Sequence, residues 1–91
     1  MHKTEALMQK HGYKKEVSDV CYSKKVNSNF EFIILLDGKS SILSSYIKLK
    51  ETIVKTEEQE IFSQMLKNIK TDVSKITEEL SCTQWLILLL V

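Results

Sequence analysis

His2, His11, Cys21 and Cys82 are the side chains of this 91-residue chain that could ligate a soft metal. Zinc sites draw their ligands from close pairs such as Cys-x-x-Cys or His-x-x-x-His, which fix two donors on one short turn. None of the four has such a neighbour. They read as two surface histidines and two buried free thiols in a reducing compartment, with a Cys21–Cys82 bridge as the alternative. Nucleophilic catalysis needs a nucleophile, a base and a group that orients the base. No such signature surrounds Ser40, Ser41, Ser44 or Ser45, which read as the polar edge of a strand. The carboxylate pairs Glu57/Glu58 and Glu78/Glu79 fall where helices start, and the positive end of the helix dipole accounts for them. Gly12 and Gly38 are the only glycines, too few for a phosphate-cradling loop. The chain reads as a non-enzyme, with no catalytic residue, metal or cofactor expected.

The remaining chemistry belongs to lysine. All 13 cations are Lys, against 12 acids, and Arg is absent. Lysine is a point charge without the bidentate fork that Arg offers to guanine or phosphate. A net charge of +1 argues against a strongly basic nucleic-acid module. The charge is unevenly spread, with six Lys against three acids in residues 1–29 and six acids against three Lys in residues 57–80. Lys14, Lys15, Lys24 and Lys25, interleaved with Tyr13 and Tyr22, form the candidate nucleic-acid contact. Lysines on an exposed strand also serve to block edge-to-edge pairing, and that is the preferred reading.

The elements that must position these residues form one domain, residues 1–91. Thr4 to His11 reads as a short helix, with Thr4 as its cap and Gly12 at its left-handed stop. Residues 13–54 read as a three-stranded meander. In its first strand, residues 13–26, Val20, Tyr22 and Val26 share a face and Lys24 is the exception. Asn27-Ser28-Asn29 is a turn. Phe30, Phe32, Ile34 and Leu36 line one face of the second strand, Ile33 and Leu35 the other. A strand apolar on both faces belongs in the middle of a sheet. Asp37-Gly38 predicts a two-residue type I′ hairpin, and the third strand is expected to bend or bulge after Ser45. Thr56-Glu57-Glu58-Gln59 matches a capping box that opens a helix over 57–80. Such a helix is about 36 Å long, against roughly 17–20 Å for a strand, so it should overhang the sheet or break near 76. The fold class is α+β, in the order α-β-β-β-α, followed by an apolar tail over 81–91.

Phe62, Leu66, Ile69, Val73, Ile76 and Leu80 recur at steps of four and three, the spacing of an interface seam and equally of a helix covering a sheet. From Leu80 to Val91 no residue is charged. Twelve such residues are too few to span a membrane and lack the lysines of a surface-bound helix. This tail either packs on its own sheet or joins a neighbour as a strand or helix extension, unless it is a truncated end. Together the seam and Trp85, Leu86 and Leu88 are the expected interface, for a protein partner or a homodimer.

The segments Ala6–Lys15, with its His11-Gly12-Tyr13 turn, and Val54–Ile69, introduced by Thr56-Glu57-Glu58, resemble small uncharacterised proteins encoded by phages and prophages of low-GC Gram-positive bacteria. The likeness covers residues 6–70, and the uncharged tail departs from it. It implies no active site. It implies instead a cytoplasmic protein of an infected host that binds a host or phage protein, such as an inhibitor of a bacterial defence system like CRISPR–Cas. The alternatives are a nucleic-acid-binding module using the Lys-rich strand edge and a structural homodimer.

Overall fold

A computed structural model describes the backbone of residues 2–49 and 56–90 and the side chains of residues 3–49 and 63–81. The chain is α+β. Helix α1 (His2–Lys10) leads into strands β1 (Lys14–Lys15), β2 (Cys21–Lys25), β3 (Phe30–Leu36) and β4 (Ile42–Leu49), and helix α2 (Thr56–Leu90) follows. The strands form one antiparallel sheet in the order β1-β2-β3-β4.

Helix α1 stops where the sequence says it should. Gly12 has φ +88, a conformation that costs a residue with a Cβ about 1–2 kcal/mol. With Gly12 in it, Gly12 N donates to Gln9 O (2.9 Å) and Tyr13 N to Met8 O (2.9 Å). That pair of bonds is a Schellman motif, and its hydrophobic contact is between Met8 and Tyr13, both buried in the core.

The sheet has four strands rather than the three expected. The first expected strand, 13–26, is a hairpin of β1 and β2 folded about residues 16–20, closed by Glu16 N donating to Cys21 O (2.9 Å). The connection from β3 to β4 is not the type I′ turn expected at Asp37-Gly38 either. Positive φ falls on Ser40 (62°) instead, and Ser40 N donates to Asp37 O at 3.1 Å. The Asp37 carboxylate drives this choice. Its Oδ1 accepts from Lys39 N (2.8 Å) and Ser41 N (3.0 Å), which wraps a longer loop around it. The expected irregularity in the last strand exists, but it precedes Ser45. Leu35 pairs with Ser44 while Leu36 pairs with Ile42, so Leu43 is the extra residue of a bulge.

Helix α2 is continuous for 35 residues. It does not break near 76, because the stripe Met65, Ile69, Val73, Ile76 and Leu80 runs unbroken across that point and packs into the core. At 1.5 Å per residue the helix is about 52 Å long, which matches the 53 Å long axis of the molecule. The tail expected over 81–91 continues this helix to Leu90. The end of the expected meander, residues 50–54, and the cap contacts at Thr56 lie outside the described residues. The core lies between α2 and one face of the sheet, where Tyr22, Phe32, Ile34 and Leu36 meet Ile69, Ile76 and Leu80, with Met8 and Tyr13 closing one side. Burying each such side chain contributes roughly 1.5–3 kcal/mol.

Candidate functional site: the open face of the sheet

Side chains alternate across a sheet, so the strand register sorts every candidate residue onto one of two faces. The pairs Tyr22↔Ile34, Lys24↔Phe32, Phe32↔Ile47 and Leu36↔Ile42 lie on the face under α2. The pairs Cys21↔Leu35, Ser23↔Ile33, Lys25↔Glu31, Ile33↔Tyr46 and Glu31↔Lys48 lie on the other.

The same alternation divides the four candidate nucleic-acid lysines. Lys15 and Lys24 belong to the core face and both are engaged. Lys15 Nζ lies 3.1 Å from Asp19 Oδ1 and 3.8 Å from Glu5 Oε1, and its bond to Asp19 raises its pKa. Lys24 Nζ lies 3.2 Å from Asp72 Oδ2 on α2 and 5.3 Å from the centre of the Tyr13 ring. Tyr13 Oη donates to that same Asp72 Oδ2 at 2.8 Å. Burial, and then the Asp72 carboxylate, push the Tyr13 phenol well above its ordinary range, so it stays a neutral donor. Lys24 broke the strand pattern because its ammonium reaches past the core to this carboxylate. Lys14 and Lys25 point to the open face. The lysines thus do not form one basic patch.

The metal candidates are also dispersed. His11 Nε2 lies 2.7 Å from Glu79 Oε1, and Lys10 Nζ lies 2.9 Å from Glu79 Oε2. These bonds, Lys10's foremost, hold the Glu79 carboxyl below its usual range. Cys21 is half-buried with a free thiol on the open face. Among the described residues no group of three His, Cys, Asp or Glu side chains could hold a metal ion. The side chains of His2 and Cys82 lie outside the described residues. Of the serines, Ser23 is the buried one, and its Oγ donates to Glu16.

The expected interface seam divides in the same manner. Ile69, Ile76 and Leu80 are buried in the chain's own core and Val73 packs against it, so these four are not free to meet a partner. Periodicity alone could not separate the two uses of such a stripe. Leu66 remains at the surface, 37% exposed. The side chains of Phe62, Trp85, Leu86 and Leu88 lie outside the described residues. Among those residues, no helix is long and apolar enough to cross a membrane.

What the sequence reading missed is the open face. No described element covers it, yet it carries Cys21, Ile33, Leu35 and Tyr46, the last 52% exposed, and Leu43, 68% exposed, stands at the bulge on its edge. Lys25, Glu31 and Lys48 stand directly across from one another at one end of it, beside a hollow of about 420 Å³ bordered by Asn27 and Asn29. No ion pair joins these three charges among the described residues. The signal was present in Ile33 and Leu35, which marked β3 as apolar on both faces, and was read as a sign of burial. Comparison with family models, with curated proteins and with solved structures gave no match.

Proposed function

We propose that the chain is a non-catalytic interaction protein and that the open face of its sheet binds a protein partner. The apolar surface of half-buried Ile33 and Leu35 and exposed Tyr46, with exposed Leu43 at the bulge on its edge, is the observation that carries this reading. Contiguous exposed apolar surface rimmed by polar residues is the mark of a protein-binding site. Lys25 and Lys48 outnumber Glu31 at one end, so the fitting partner presents an apolar centre beside one or two carboxylates. The ion pairs of Asp72 and Glu79 support the non-catalytic reading, because they fasten elements of the fold together. The resemblance to small phage and prophage proteins favours a host or phage protein as the partner, with components of a bacterial defence system such as CRISPR–Cas as the first to try.

The test is affinity capture from lysate of a low-GC Gram-positive host, after nuclease treatment, with the wild-type chain and the Leu43→Glu variant side by side. A discrete protein held by the wild type and lost by the variant is expected. Equal capture by both chains, or no capture by either, overturns the reading of this face.

A further inference from the structure

The outer edge of β4 is a second surface, and it calls for a different occupant. Among the described residues no strand pairs with this edge, and β4 carries a single charge, Lys48, and no proline. Unpaired edges of this kind are templates for strand addition. The bulge at Leu43 limits a regular ladder to the residues that follow it, and Tyr46 is the midpoint between Leu43 and the strand end at Leu49.

We infer that the occupant is a second copy of this chain, with β4 pairing antiparallel to its own equivalent about a two-fold axis at Tyr46. That register sets Tyr46 against Tyr46, Ser45 against Ile47 and Ser44 against Lys48 of the other copy. Each pair then joins side chains of the same sheet face, and no like charges are opposed. Helix α2 decides between a second copy and a lone foreign strand. Thr77 and Leu80 border β4 beside Ile42, whereas Asn68 and Asp72 border β2 beside Lys24. Leu66 precedes Thr77 by eleven residues, about three helical turns, so it shares the β4 side of the helix. A foreign strand would pair the edge and leave Leu66 in water. A second copy brings its own α2 to the same height above the joined sheet, so Leu66 is covered at the moment the edge is paired. The contact is isologous and closed, as a two-fold dimer requires. It also joins the two open faces, so that both copies of Tyr46 stand together in one doubled apolar surface. This assembly does not depend on the foreign partner proposed above, and the purified chain alone tests it.

Sedimentation equilibrium over a dilution series should show the apparent mass rising from 10.6 kDa towards twice that value. Leu66→Asp and Tyr46→Lys should each return it to the monomer while leaving the far-ultraviolet circular dichroism unchanged, since both side chains are partly exposed. In a Cys21→Ser, Cys82→Ser background, Tyr46→Cys should form a covalent dimer on mild oxidation. Directly opposed antiparallel residues have Cα atoms about 4.5–5.5 Å apart, within disulfide reach. Lys48→Cys should not, because its two copies would lie on the order of 14 Å apart. A monomer at every concentration overturns the proposal. So does a dimer that survives both surface variants, or one that cross-links through Lys48→Cys and not through Tyr46→Cys.

Discussion

Two acids on α2 govern the N-terminal third of the chain. Asp72 and Glu79 are seven residues apart, so they lie on one side of the helix two turns from each other. Asp72 takes Tyr13 and Lys24, and Glu79 takes Lys10 and His11, so the turn after α1 is held at both ends. Gly12 sits between these anchors. A Cβ there would meet the Lys24 side chain at 3.3 Å and force a left-handed backbone on a residue that resists it. Gly12→Ala is therefore expected to lower stability by about 1–2 kcal/mol, seen as a lower urea midpoint with an unchanged slope. Glu79 gives a pH dependence of known sign. Its folded pKa lies below the unfolded one, so the stabilisation is present above the ordinary glutamate value of about 4.3 and is lost as pH falls through the folded value. Asp37 acts in the same direction, through the N–H groups of Ser41 and Lys39. Thermal melts from neutral pH to pH about 3 should show Glu79→Gln losing less stability on acidification than the wild type. An identical slope in the two proteins would mean the Glu79 contacts contribute nothing.

At the scale of elements, α2 sorts its apolar residues by what they touch. Ile76 is fully buried and Leu66 is not, although the sequence places both in one seam. Ile76→Ala should cost about 2–5 kcal/mol through lost burial and the cavity left behind. Leu66→Ala, measured at concentrations too low for association, should stay within about 0.5 kcal/mol. Denaturant titrations of the two variants compare them directly, and equal losses would contradict the assignment of Leu66 to the surface. These elements were legible to different depths. Gly12 announced the end of α1, and the alternation of Phe32, Ile34 and Leu36 announced β3. The β1–β2 hairpin was hidden because its turn, residues 16–20, contains neither Gly nor Pro, so Tyr13 to Val26 read as one strand. Asp37-Gly38 misled because the sequence shows which residues tolerate positive φ, and not which hydrogen bonds the Asp37 side chain will make. Glu78-Glu79 looked like the start of a second helix after a break near 76. The stripe of Val73, Ile76 and Leu80 outweighed it, because breaking the helix there would take Leu80 out of the core.

On the scale of the whole molecule, one sheet carries two different surfaces. One side packs against α2, and the other carries Tyr46 into solvent, with Leu43 exposed at the bulge on its edge. Single-sequence patterning could not assign the open side, because an apolar residue facing a partner and one facing a core look alike before the layers are counted. The two surfaces should separate in mutagenesis. Nothing described in the chain covers Leu43, so Leu43→Glu should leave the urea midpoint within about 0.5 kcal/mol of the wild type while abolishing capture of the partner. A large loss of stability would instead show that Leu43 belongs to the fold.

The arrangement of the core also sets an order of events at the ribosome. Phe32, Ile34 and Leu36 are complete early, but the helix that shields them is made after all four strands. Forty-four residues separate Leu36 from Leu80, whose side chain closes the core. At about 5–20 residues per second, synthesis of that stretch takes roughly 2–9 s. For that interval the nascent chain holds finished strands with an apolar side unprotected, and α1 cannot be fastened because Asp72 and Glu79 do not yet exist. Slower translation of α2 should therefore lengthen the exposure of these strands to aggregation.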